Sequence, residues 1–292
     1  MTDPSTVADA RHRAVRRAVR ELAPATLLVV CAEADPSGAG GGVVVRLDQC
    51  LADVARHRLV DLAVASGGDV VVAYDACADT PENASAEALA RLTGGRVRAR
   101  TTPVAPSDPT TLVDVAHPPV SRRQLLRGTP AGRDADESGD DETRLLASLR
   151  ALGVEPVDVP SPGPVLQVEG CTACGVCVRA CPHQALELRL AAGLGTLLHR
   201  PDRCRGEQQC VATCPEQDVR AVGQQPWPVV LAGEALPLAT LSTGACRRCG
   251  ATIPRTSPGD LCGPCAQRER EPFGWRVPEH LRDRLPERWR RD

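Results

Sequence analysis

The stretch 171–182, "CTACGVCVRACP", sets Cys171, Cys174, Cys177 and Cys181 at gaps of two, two and three residues and places Pro182 directly after the last. A second stretch, 204–215, "CRGEQQCVATCP", repeats it with one cysteine missing. A shift of 33 carries Cys171 onto Cys204, Cys177 onto Cys210, Cys181 onto Cys214 and Pro182 onto Pro215. The same shift lays Val178 on Val211 and Leu186 on Val219, but Cys174 on Glu207. Matched cysteines, prolines and apolar positions mark an internal duplication of one loop-plus-helix unit.

What the cysteines do depends on their compartment. The 292-residue chain has no apolar run near the ~20 residues that span a bilayer. Its start, "MTDPSTVADARHRAV", lacks the apolar core of a signal peptide, so a cytoplasmic protein is expected. In that reducing setting the 14 cysteines read as metal ligands rather than disulfides. The spacing C-x2-C-x2-C-x3-C-P suits an iron–sulfur cube better than it suits zinc or a disulfide. Three thiolates two residues apart wrap one cube, with backbone amides turned toward the sulfurs. The fourth, one helical turn on from the third, points away to a different cube.

Over about 60 residues this region resembles the two-cluster ferredoxins of bacterial type, in which two such units pack as a pseudo-symmetric α+β pair. The resemblance implies that the units exchange their last cysteines. Cys171, Cys174, Cys177 and Cys214 would hold one [4Fe-4S] cluster, and Cys204, Cys210 and Cys181 a second. Glu207 stands where the second cluster's remaining ligand should be, which leaves three readings. The second site is [3Fe-4S], or it is [4Fe-4S] with Glu207 binding iron through oxygen, or it is empty.

Near the C-terminal end, Cys246, Cys249, Cys262 and Cys265 form two C-x2-C knuckles twelve residues apart. Two facing knuckles supply four sulfurs in a tetrahedron, a set suited to structural zinc. The unit resembles zinc ribbons and, more distantly, the one-iron rubredoxins. The aromatics usual around rubredoxin iron are absent from the intervening "GATIPRTSPGDL", so zinc is the metal expected.

The rest of the chain frames these motifs. Helical spacing over 6–23 and 51–66, a helix near 84–92, apolar runs at 26–32, 42–48 and 69–75, and the stretch "RVRAR" (96–100) alternate in the order of an α/β domain with a mostly parallel sheet. Only five aromatic residues are present, so its core must be built from Val, Leu and Ala. The organisation expected is an α/β domain over 1–100, a Pro-rich and acidic linker over 101–142, a ferredoxin-like module over 162–224, a small zinc-ribbon-like unit over 225–267 and a charged tail over 268–292. A short helix, "ETRLLASLRALG", precedes the cysteine repeat.

Weaker signals carry less. "SRRQLLRG" (121–128) has the letters of a twin-arginine export motif, but no apolar segment follows it. A similar Ser-Arg-Arg segment opens some small ferredoxins that serve periplasmic nitrate reductases. "DPSGAGGG" reads as a flexible loop rather than a phosphate cradle. Cys31, Cys50 and Cys77 read as buried free cysteines, although residues 44–77 loosely resemble the delta-type iron–sulfur subunit of methanogen-type hydrogenases, where such cysteines bind another cluster. The six histidines show no ligand spacing. A formal charge of −2 argues against nucleic acid as a partner. The function expected is iron–sulfur electron transfer, as a carrier or subunit exchanging electrons with a larger oxidoreductase. The alternative is a nucleic-acid or assembly factor whose clusters and zinc are structural.

Overall fold

A 19-residue helix, α1 (Pro4–Leu22), leads into the first strand. Its apolar stripe buries only the middle: Val15 and Val19 are fully enclosed, while Val7 and Leu22 are exposed. In this computed structural model residues 4–34, 42–73, 83–100, 111–118 and 139–270 are described. Cys77, the stretch 121–128, most of the glycine-rich loop and the tail beyond 270 lie outside them. The chain forms two compact units, residues 1–162 with 224–234, and residues 163–223 with 235–292.

The first unit is built on β1 (Thr26–Val30), β2 (Val43–Arg46), β3 (Asp69–Ala73), β4 (Val97–Arg100) and β5 (Thr111–Asp114). They lie in the order β4-β3-β1-β2-β5, and every pairing is parallel. Helices α2 (Arg56–Ser66) and α3 (Asn83–Leu92) connect strands within this order. Side chains alternate across the pleat. Leu27, Val29, Val45, Val70, Val72, Val97 and Val113 join the main core, and Leu28, Val30, Val44 and Ala73 form a second cluster on the opposite face. Burial on both faces is why the strands read as unbroken apolar runs such as "TLLVV". β5 lies inside the stretch whose composition reads as a linker: "TLVD" contributes Val113 to the core and extends the sheet beside β2.

Helix α4 (Asp141–Leu152) starts on Asp140, whose carboxylate accepts the Thr143 amide at 2.9 Å, and ends on Gly153 at φ 67°. It buries Leu145, Leu146 and Leu149. Where α1, α2 and α4 meet, the contact is polar. Asp61 accepts the Ser148 hydroxyl at 2.5 Å and lies 3.4 Å from both His12 Nε2 and Arg16 Nη1. Asp9 accepts Arg58 at 3.1 Å and Arg144 at 3.3 Å. Within the stretch 225–267, the piece Gln224–Glu234 belongs to this first unit. Its one-turn helix α5 (Trp227–Ala232) adds Trp227 and Val230 to the main core. The Trp227 indole donates to the Val159 carbonyl at 2.7 Å.

The second unit holds both cysteine motifs. Strand β6 (Pro164–Val168) pairs with β9 (Val219–Gln224). Strands β7 (Leu186–Ala191) and β8 (Leu194–His199) form an antiparallel hairpin through Ala192 and Gly193. Both turn residues have positive φ, 50° and 75°, the requirement of a type I′ turn. β10 (Leu236–Ala245) pairs with β8 on one side and with β11 (Thr252–Pro254) on the other. A sheet of order β11-β10-β8-β7 thus runs from the cysteine repeat to the four-cysteine unit. No helix among the described residues is long and apolar enough to cross a membrane.

Candidate metal centres

The duplication is written in the backbone. Positions 33 apart adopt the same left-handed conformation: Ala173 and Gly206 (φ 54° and 76°), Gly175 and Gln208 (67° and 55°), and Gln184 and Gln217 (53° and 58°). Four of the six are not glycine, and each of those costs ~1–2 kcal/mol. Six matched turns of this kind are not a by-product of helix packing; they bend two loops alike. Gly175 and Gln208 are the N-caps of two short helices, α6 (Val176–Ala180) and α7 (Gln209–Ala212). The bends also aim amides at sulfur: Ala173 N–H donates to Cys171 Sγ at 3.4 Å, and Ala185 N–H to Cys181 Sγ at 3.3 Å.

The loops enclose two cavities. Cys171, Cys174, Cys177 and Cys214 line the first, so three thiols of one repeat meet the last thiol of the other. Cys204, Cys210 and Cys181 line the second, together with Glu207. The hairpin supplies a common floor. Its registered pair Leu188–Leu197 lies under the first cavity, and the neighbouring pair Leu186–His199 under the second. Cys174 and Glu207, the residues at matched positions, are both exposed, so each cavity has its solvent-facing corner at the same step of its repeat.

Both cavities suit a polynuclear thiolate-bound group. Burial raises the thiols of Cys171, Cys204 and Cys210 and pushes Cys177 up to about 11, with neighbouring thiols adding to the rise. Thiols packed this way stay protonated unless cationic metal takes the place of their protons. Backbone has been cleared around them as well. A Cβ on Gly163 would stand 2.9 Å from Cys204 Sγ. Finally, His199 is 1% exposed and its Nε2 has no hydrogen-bond partner, although it lines the second cavity. A buried ring nitrogen left unpaired costs ~1–3 kcal/mol, which fits a position facing a partner that is not part of the chain.

Neither His183 nor His199 carries a sequence signal of its own. His183 lies beside Glu207, with Nε2 3.0 Å from Oε1. The one cue to His199 is its phase on β8, two residues from Leu197 and so on the same face. Cys31 is buried in the apolar core of the first unit and Cys50 packs against it. His12 and His57, also silent in sequence, belong to the polar contact of the first unit.

The C-terminal cysteines form a separate centre. All four sulfurs of Cys246, Cys249, Cys262 and Cys265 lie within 4.8 Å of one another, with Cys249 and Cys262 at 3.6 Å. A tetrahedron with metal–sulfur bonds of ~2.3 Å has edges of ~3.8 Å, so the quartet is already at metal-binding spacing. The Cys262 amide donates to Cys246 Sγ at 3.4 Å. That bond and the knuckle amides lower Cys246 to about 6, whereas hydrogen bonds that the Cys265 thiol donates to its neighbours, Cys262 first, hold Cys265 up to about 12. The unit can therefore bind a metal ion through four thiolates.

Residues 170–217 match the family described as 4Fe-4S dicluster domain. A ferredoxin of Pyrobaculum islandicum (strain DSM 4184 / JCM 9189 / GEO3) is 38% identical over 80 residues, which is 27% of this chain and 63% of that protein. The chain thus spans less than two thirds of that relative. The match covers both cavities, so the second unit contains an iron–sulfur module of ferredoxin type. The α/β unit lies outside the family match.

Proposed function

We propose that this protein is an iron–sulfur electron carrier, or the electron-transfer subunit of a larger oxidoreductase. The observation that carries the reading is the crosswise lining of the two cavities by cysteines of two repeats over one shared floor. Cys171, Cys174, Cys177 and Cys214 hold a [4Fe-4S] cluster, and Cys181, Cys204 and Cys210 hold a second. The second is [3Fe-4S] in the absence of a fourth thiolate, with Glu207 facing the open corner. Such clusters supply one-electron storage and transfer. The chain's part is to hold them over an apolar floor, screen them from water, and expose one corner of each, at Cys174 and Glu207, to a partner.

Cys246, Cys249, Cys262 and Cys265 hold zinc, which fixes the turn at the end of β10. The protein works in the reducing cytoplasm, where its thiols stay free for metal. Metal and acid-labile sulfide analysis of the anaerobically purified protein tests this reading. A brown protein with about seven irons and one zinc is expected. A colourless protein containing zinc alone overturns it.

A further inference from the structure

The two cavities share a backbone but not a floor. Around the first, the floor pair is Leu188–Leu197, the acids Glu216 and Asp218 line the wall, and the Arg179 guanidinium lies 3.4 Å from the Cys174 carbonyl in the same loop. Asp218 is pressed so closely against the loop that a Cβ on Gly170 would meet its carboxylate. Around the second, the leucine matching Leu197 is replaced by His199, and Arg205 and His183 line the wall with Glu207. His199 is 1% exposed, and its Nε2 is buried without a partner in a strand whose neighbours are both paired.

We propose that His199 donates a hydrogen bond from Nε2 to the sulfur of the second centre, and that this bond raises the potential of that centre. The proposal rests on the reading that the second cavity holds a cluster. An electron added to a cluster adds one negative charge and breaks no bond. An N–H donor at sulfur and a nearby guanidinium favour that charge, while carboxylates oppose it. Glu207 works against this trend on the second side, but its exposed carboxylate is screened by water and lies against His183, whereas His199 acts from within the floor.

The test is a potentiometric titration of the full chain followed by electron paramagnetic resonance, reading the two centres separately. His199→Leu is expected to lower the midpoint potential of the second centre and leave the first where it was. His199→Gln, which keeps an N–H donor, should recover most of the loss, and Asp218→Asn should raise the first centre alone. A second centre whose potential is the same in His199→Leu overturns the proposal. Should His199→Leu fail to assemble that centre, 15N-histidine labelling in a His183→Ala background reads the same contact. A nitrogen coupling on the second centre's signal is then expected, and its absence overturns the proposal. A wild-type protein with one cluster's worth of iron and an unfilled second cavity would instead overturn the two-cluster reading beneath it.

Discussion

Glu207 and Cys174 sit at the same step of the two repeats, both exposed, each at the open corner of its cavity. The difference between them is one ligand atom type, so Glu207→Cys should restore a fourth thiolate without moving the backbone. In the oxidised protein a three-iron centre carries an odd electron and gives a resonance signal, while the four-iron centre is silent until reduced. Glu207→Cys is expected to remove that signal and raise the iron content by about one per chain. A signal that persists with unchanged iron would show that Glu207 does not face the open corner. Cys181 offers the complementary test. It belongs to the first motif in sequence, yet it lines the second cavity with Cys204 and Cys210. Cys181→Ser should therefore damage the second cluster and spare the first; loss of the first cluster alone would mean that the repeats do not exchange ligands.

At the scale of elements, legibility followed the strength of local pattern. Strands β1 to β3 and the helices around them could be read because a sheet buried on both faces leaves apolar runs and amphipathic helices leave a period, while β4, an edge strand, shows only the alternation of Val97 and Ala99 with arginine. β5 was hidden, since its four residues follow three prolines and carry too little pattern to outweigh the composition around them. Helix α5 was hidden for another reason: Trp227 and Val230 are buried by a distant part of the chain, and no local periodicity records that. The cysteines that line the two cavities and form the C-terminal quartet stood out in sequence by their spacing, whereas His199 is defined by what lies across the sheet from it. Two outcomes follow from these elements. Cys246→Ser should release the zinc and loosen residues 244–266 while iron content stays the same, as metal analysis and limited proteolysis will show, because the ligand sets are disjoint. Iron loss in that variant, with the rest folded, would contradict separate centres. Trp227→Ala removes a buried indole and its 2.7 Å bond to Val159, and should destabilise the first unit by ~3–5 kcal/mol in urea melts followed by circular dichroism.

The molecule as a whole has two kinds of interior, one organised by thiols and one by a polar seam within an aliphatic core. In the first unit, His12 is held below the ordinary histidine value of 6.5 by burial, although Asp61 beside it pulls the other way. Burial lowers His57 as well, against the opposing charges of Asp141 and Asp61. Arg16, Arg58 and Arg144 surround the same seam and add positive charge that a protonated imidazole would have to meet. Both histidines thus bind protons more weakly folded than unfolded. Their contribution to stability is complete above about pH 6.5 and declines as the pH falls below that value toward their folded pKa. Asp61 is also lowered, where its hydrogen bonds with His12 and Ser148 outweigh the opposing effect of burial, so its contribution is lost at still lower pH and in the same direction. The first unit should accordingly unfold at a lower urea midpoint at pH 5.5 than at pH 7.5. His12→Gln, which cannot titrate, should be less stable at pH 7.5 yet show a smaller drop between the two pH values. The comparison between variants matters because acid also attacks iron–sulfur centres, and that loss is common to both proteins. A drop of equal size in His12→Gln would show that the acid sensitivity does not arise from His12.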